Sequence, residues 1–229
     1  MTNRQTTAVL FDMDGTLVDT PAGIVRVFHT VLAEMNRPAA AAAVRATIGR
    51  PLAPSLGSLL GLPTDHPDVE QAVARTRALF TEQVVPSAAG LVFPGIPSLL
   101  ARLRANNRPL AVVTSKIRPS TEQLLGAAGL LDSFDVLSCH GMTERGKPHP
   151  DLALLAASEL GVPPEHCVVV GDGVDDIRMA VAAGMVAYGV DFGVATRAEL
   201  LSVGASEVFG SVRELTAVLA VDRMPVPGE

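Results

Sequence analysis

Two aspartates one residue apart, Asp12 and Asp14, close an apolar run and lead into Gly15 and Thr16. An extended chain points successive side chains to opposite faces, so both carboxylates leave on one side and Met13 on the other. Like charges this close repel unless a cation or a shared proton holds them. Ligands that are all oxygen suit a hard ion such as Mg²⁺. Gly15 permits a sharp turn directly behind the pair. An isolated Asp-x-Asp-Gly also serves as a helix cap or a turn, so the pair needs company before it means chemistry.

Three further groups supply that company. Thr114-Ser115-Lys116 ends a second apolar run, and hydroxyls beside free backbone N–H groups at such a place make a phosphate cradle. Serine and threonine cap helices equally well. Gly146-Lys147-Pro148-His149-Pro150 puts one lysine between residues whose rings stiffen the loop. Gly171-Asp172-Gly173-Val174-Asp175-Asp176 places carboxylates behind another apolar run, where they can complete a metal site with the first pair.

These groups need a scaffold that brings the ends of several strands together. The chain alternates short apolar runs with helical stretches, the pattern of a parallel sheet covered by helices, so the expected fold class is α/β. The runs are Ala8 to Phe11, Leu110 to Val113, Val168 to Val170 and Met185 to Val190, with weaker ones near Phe134 to Leu137 and Glu207 to Phe209. Helices are expected over Pro119 to Ala128, Pro150 to Leu160 and Asp175 to Ala183, each followed by a glycine suited to a helix end: Gly129, Gly161 and Gly184. From Thr20 to Ala89 there is no strand pattern, only alanine-rich helical sequence cut by Pro51, Pro54, Gly57, Gly61 and Pro63. Pro38, followed by a run of alanines, is expected to open a helix. The reading is an α/β core over residues 1–19 and 90–229, with an all-helical cap over residues 20–89 inserted after the first strand and a loose MPVPGE tail.

Asp-x-Asp-Gly-Thr at 12–16, Thr114, Lys147 and Gly-Asp-x-x-x-Asp at 171–176 occur in that order, each where a strand runs out. This arrangement closely resembles the haloacid dehalogenase-like hydrolase superfamily, over essentially the whole chain including the helical insertion. The helical spans, Gly-Lys-Pro-His-Pro-Asp and the late Gly-Ala-Ser-Glu-Val-Phe segment most resemble its phosphoglycolate phosphatase-like branch. The resemblance implies a Rossmann-like parallel sheet and a Mg²⁺-dependent phosphatase acting on a small-molecule phosphate ester through a phospho-aspartate. It implies Asp12 as nucleophile and Asp14 as acid and base, with Thr114, Ser115 and Lys147 on the phosphoryl oxygens. It also implies metal contacts from Asp12, the Asp14 backbone carbonyl and Asp172, with Asp176 acting through water or orienting Lys147. Candidate substrates are phosphoglycolate, a sugar phosphate, pyrophosphate or another phosphorylated metabolite. A phosphomutase that keeps Asp14 is the alternative within the family; dehalogenase and phosphonatase chemistry fit Asp14 less well.

Other residues read in two ways. Arg50, in the loop-like Ile48 to Leu52, could reach the leaving group from the cap or sit solvated; Arg118 is in the same position, and His140 and His149 flank the lysine loop. The chain has 229 residues with 48% hydrophobic content, ample for a core. A net charge of -6 argues against nucleic acid as partner. Acidic strand ends in place of G-x-G-x-x-G exclude a dinucleotide fold. A phospho-accepting signalling domain would carry its acceptor on a later strand and lack the helical insertion. Cys139 and Cys167 read as small buried residues of a reducing compartment. With no signal core and no run long enough for a bilayer, the chain is expected to be cytoplasmic, away from membranes, as a monomer or homodimer.

Overall fold

The computed structural model describes residues 7–220; the expected MPVPGE tail lies outside them. In chain order the elements are β1 (Ala8–Phe11), α1 (Pro21–Glu34), α2 (Ala41–Arg45), α3 (Leu52–Leu60), α4 (Pro67–Gln83), α5 (Ala88–Leu91), α6 (Ile96–Ala105), β2 (Leu110–Thr114), α7 (Arg118–Ala127), β3 (Val136–Cys139), α8 (Asp151–Leu160), β4 (Cys167–Gly171), α9 (Val174–Ala182), β5 (Val186–Val190), α10 (Arg197–Ser202), β6 (Glu207–Phe209) and α11 (Val212–Leu219).

Six strands form one parallel sheet in the order β3-β2-β1-β4-β5-β6. Strands buried on both faces read as unbroken apolar runs, and β1, β2 and β4 are buried at every position. The alternation is visible in the packing. Val9, Phe11, Leu110, Val112, Val168 and Val170 face one apolar cluster, while Ala8, Leu10, Ala111, Val113, Cys167 and Val169 face the other. The first cluster continues without a break into the helices between β1 and α6, through Leu17, Val18, Val27 and Phe28 to Leu79 and Phe80. Cys139 and Cys167 are both buried and free.

Helix α1 packs on α2 and α4, and α3 packs on α4. The buried positions of α4 are Val69, Ala72, Val73, Thr76, Leu79 and Phe80, the three- and four-residue spacing of one helical face. Thr76 is the polar residue on that stripe. The chain leaves the sheet and returns to it through adjoining segments: Asp19 N donates to Leu91 O at 2.8 Å and Phe93 N to Leu17 O at 3.1 Å. No helix among the described residues is long and apolar enough to cross a membrane.

Two expectations are corrected. Pro38 does not open a helix: α1 ends at Glu34, Asn36 takes a left-handed φ of 56°, and helical structure resumes only at Ala41. A residue before proline is pushed out of the helical region, and Ala39 is spent packing against the core. Strand β3 begins at Val136, two residues later than the apolar signal at Phe134, because Leu131–Ser133 forms a 3₁₀ turn. The strand then runs on through Ser138, whose hydroxyl is satisfied by Leu152 O at 2.8 Å.

Candidate active site

Strand β1 is central, with β2 on one side and β4 on the other. Connections leave in opposite directions from these neighbours, so the crevice at their carboxyl ends is where an open α/β sheet takes a ligand. Asp12 follows β1, Thr114 ends β2 and Asp172 follows β4. The ladder carries one residue past β1, since Asp12 N donates to Val170 O at 2.8 Å. The first and fourth acidic groups therefore face each other across adjoining strands. Gly15, at φ 86°, occupies a left-handed conformation, and a side chain there would collide with the Asp172 carboxylate. A β-carbon on Gly171 would likewise run into Asp176. The glycines of both motifs let the carboxylates close up.

Asp12, Asp172 and Asp176 are buried and offer carboxylate oxygens within 4.8 Å of one another. Lys147 Nζ donates to Asp12 Oδ1 at 2.6 Å and to Asp176 Oδ1 at 2.5 Å. The Lys147–Pro148 peptide bond is cis. Backbone and hydroxyl donors fix the remaining oxygens. Thr16 Oγ1 donates to Asp172 Oδ1 at 2.9 Å, Val194 N to Asp172 Oδ2 at 2.8 Å, and Gly173 N to Asp176 Oδ2 at 2.9 Å. No hydrogen-bond donor among the described residues reaches Asp12 Oδ2.

Burial raises Asp12 to about 7; Lys147 opposes the rise, while Asp176 and Asp14 add to it. Burial also raises Asp172 well above the usual carboxylate range, with Asp12 and Asp176 contributing. For Lys147 burial acts downward, but the charges and hydrogen bonds of Asp12 and Asp176 outweigh it and the ammonium is held above its ordinary value. With all three carboxylates ionised, the one ammonium leaves a deficit of two positive charges, which is why the metal-free cluster favours protons. An oxygen-only, charge-deficient cluster fits a hard divalent cation.

Asp14 stands apart from this cluster. Its Oδ1 accepts from Thr20 Oγ1 at 2.5 Å and its Oδ2 lies 2.9 Å from Lys116 Nζ. Lys116 in turn sits 4.4 Å from the Phe80 ring centroid on α4, so the carboxylate is held jointly by the sheet edge and the helical insertion. Thr114 Oγ1 accepts from Lys116 N at 3.2 Å, and the Ser115 hydroxyl is buried with no partner among the described residues. Asp12, Asp14, Thr114 and Ser115 line one cavity of about 130 Å³, roofed by residues of α1, α3, α4 and the 47–50 turn.

Arg50 also lines this cavity, but its guanidinium Nε lies 3.7 Å from Asp175 Oδ2 and its side chain is 57% exposed. Asp175 pairs with Arg50 and Arg178 and is outside the carboxylate cluster. Arg118 pairs with Glu122 and is not among the residues lining the cavity. His140 lines the cavity, its imidazole lowered by burial and then by Arg77, whereas His149 is exposed. Sequence reasoning gave no role to Thr20, Lys116 or Thr76. Only Thr76 left a signal, a hydroxyl on an apolar helix stripe.

The haloacid dehalogenase-like hydrolase family model matches residues 6–184. The chain is 43% identical to a protein of Dickeya dadantii named "Probable phosphatase IndB", over 95% of this chain and 97% of that one. It is 34% identical to the phosphoglycolate phosphatase of Yersinia pseudotuberculosis, over 81% of each. Among solved structures, a hydrolase from Pseudomonas syringae superposes with a TM-score of 0.82 at 26% identity, over 93% of this chain and 97% of that one.

Proposed function

We propose, from the premise that this chain belongs to the haloacid dehalogenase-like hydrolase family and is a phosphatase, that it hydrolyses a small-molecule phosphate monoester through a phospho-aspartate on Asp12, with Mg²⁺ as cofactor. The observation that carries the reading is the Lys147 ammonium bridging Asp12 and Asp176 beside Asp172. It leaves one nucleophilic oxygen unhindered inside a site short of positive charge.

Asp12 Oδ2 attacks phosphorus in line, and the bond from phosphorus to the alcohol oxygen breaks. Asp14 gives that oxygen its proton. It then takes a proton from the water that attacks the acyl phosphate, returning Asp12 to its carboxylate. Thr114, Ser115 and Lys147 hold the phosphoryl oxygens through both steps. Asp12, Asp172, Asp176 and the Asp14 carbonyl would hold Mg²⁺, directly or through water; when bound it supplies the positive charge that lets a dianionic ester approach a carboxylate. Asp176 also keeps Lys147 in place. The acceleration required for a phosphate monoester reaches about 10²¹-fold, which demands positioning and concerted charge neutralisation rather than one strong contact. Residues 20–89 act as a cap over a core of residues 1–19 and 90–229, closing on the leaving group and shielding the intermediate.

The substrate class spans phosphoglycolate, sugar phosphates and other phosphorylated metabolites. The test is release of inorganic phosphate from a panel of such esters with Mg²⁺, with chelator, and with Asp12→Asn. The reading requires activity only in the first arm. Full turnover under chelation or in the variant would overturn it.

A further inference from the structure

Lys116 is a cation to which the mechanism above gives no task. Its side chain is 19% exposed, and it lines the cavity beside Asp14. Its Nζ lies 2.9 Å from Oδ2 of that residue, which carries protons to and from the substrate in the proposed reaction. The other oxygen of the same carboxylate, Oδ1, accepts from Thr20 Oγ1. Thr20 is fully buried and lies outside the cavity lining. Oδ2 is therefore the oxygen on the cavity side, and the ammonium stands where a leaving oxygen would meet Asp14.

An aspartate carboxyl turns easily about its last bond, which has broad and shallow preferences. Proton transfer needs that group within hydrogen-bond reach of the reacting oxygen, and a displacement of about 1 Å can cost on the order of 10²-fold in rate. A single contact from Thr20 leaves the carboxyl free to swing about it. A second contact at Oδ2 stops the swing. Each carboxylate oxygen can accept twice, so Oδ2 keeps a position for the transferred proton.

A lysine on its flexible stem would hold such a partner loosely, but Lys116 is itself held at both ends. Its N donates to Thr114 Oγ1 at 3.2 Å, and its carbonyl accepts from His140 N at 2.9 Å. Its ammonium lies over the ring of Phe80, 4.4 Å from the centroid, where the ring's negative face attracts a cation. Phe80 is buried on α4, so the far anchor belongs to the helical insertion.

Resting on the phosphatase reading above, we infer that Lys116 is a positioning residue for Asp14. It fixes the carboxyl against the leaving oxygen, and Phe80 fixes Lys116. Its effect falls on the proton-transfer steps, whereas the phosphoryl oxygens are held by Thr114, Ser115 and Lys147.

The experiment uses two esters of similar size whose leaving groups differ, benzyl phosphate and p-nitrophenyl phosphate. Single-turnover rates of the first step and KM are measured in Mg²⁺ for wild type, Lys116→Met, Asp14→Asn and the double variant. Lys116→Met should slow benzyl phosphate by about 10²-fold and p-nitrophenyl phosphate by less than about tenfold, because nitrophenolate leaves without a proton. Lys116→Arg keeps a charge that stacks on an aromatic ring and should recover part of the lost rate. Phe80→Leu should show the same imbalance at roughly fivefold, and it carries the comparison if Lys116→Met does not fold. In the Asp14→Asn background, Lys116→Met should cost no more than about twofold further, since a residue acting through another is not additive with it. Unchanged rates, equal losses for the two esters, a rise in KM alone, or full additivity with Asp14→Asn overturns this inference alone. Equal losses for the two esters in Asp14→Asn, or no hydrolysis by wild type, overturns the reading on which it rests.

Discussion

Lys147 is the residue whose loss should be felt in two independent measurements. Its Nζ is shared between Asp12 at 2.6 Å and Asp176 at 2.5 Å, and its side chain is 2% exposed. Lys147→Met keeps the stem and removes the charge, leaving the cluster of Asp12, Asp172 and Asp176 with no cation. Breaking a buried pair from one side costs about 3–5 kcal/mol. Asp12 can escape part of that cost by binding a proton, since burial already holds it at about 7. The loss should therefore be large in chelator near pH 8 and smaller near pH 5. At about 2–4 °C per kcal/mol for a chain of this size, unfolding near pH 8 should drop by on the order of 10 °C. Added Mg²⁺ should restore much of this stability by supplying charge to the same carboxylates. It should not restore turnover, because in the proposed mechanism the missing ammonium is the one that holds the phosphoryl oxygens; removal of one such donor costs about 10²–10³-fold in kcat. Scanning calorimetry with and without chelator, alongside phosphate release, reads both effects. A Lys147→Met protein that melts with wild type in chelator near pH 8, or keeps turnover within about tenfold of wild type, would refute the reasoning.

Other outcomes follow from the same geometry. In the metal-free protein Asp12 and Asp172 titrate above their unfolded values, so the native state binds more protons between about pH 4 and 7. Stability should fall as pH rises through that window, by on the order of 4 kcal/mol for Asp12 alone, and Mg²⁺ should flatten the fall; melts across pH in chelator and in Mg²⁺ check it. Asp14→Asn should slow the first step severely for alkyl phosphates and much less for p-nitrophenyl phosphate, whose leaving group needs no proton; equal losses in single-turnover kinetics would contradict its role. Arg50→Ala breaks an exposed pair with Asp175 and should change stability little, while raising KM for the natural substrate more than for a small generic phosphate; an unaltered specificity profile would return Arg50 to the surface.

Much of this site is legible in the chain because its key residues sit at strand ends. Apolar runs at Ala8, Leu110 and Val168 mark β1, β2 and β4, and the residues that follow each run are the ones the parallel sheet gathers at one edge. Lys147 was legible by its company, a lysine in a proline-bound loop. The pairing around Asp14 was not. Thr20 and Lys116 come to it from the start of the helical insertion and from the turn after β2, contacts that depend on how the insertion packs rather than on any local pattern. Arg50 was readable as a residue near the cavity, but its pairing with Asp175 crosses from the insertion to α9 and leaves no trace in either segment. Pro38 misled because proline at a helix start and proline in an extended connection look alike until the chain around Asn36 and Ala39 is placed.

The central claim is that phosphate passes through Asp12, and the most direct measurement is to catch it there. In Asp14→Asn with p-nitrophenyl phosphate, Asp12 should still be phosphorylated, because nitrophenolate leaves unaided. Hydrolysis should stall, because water has lost its base. Acid quench of that reaction in Mg²⁺, followed by peptide mass mapping, should find one phosphoryl group on Asp12, in a yield that grows to a plateau while nitrophenolate is released as a burst. The double variant Asp12→Asn, Asp14→Asn should give neither burst nor phosphopeptide. A burst with the phosphoryl group on any other residue, or sustained turnover with Asp12 unmodified at every quench time, would contradict the account.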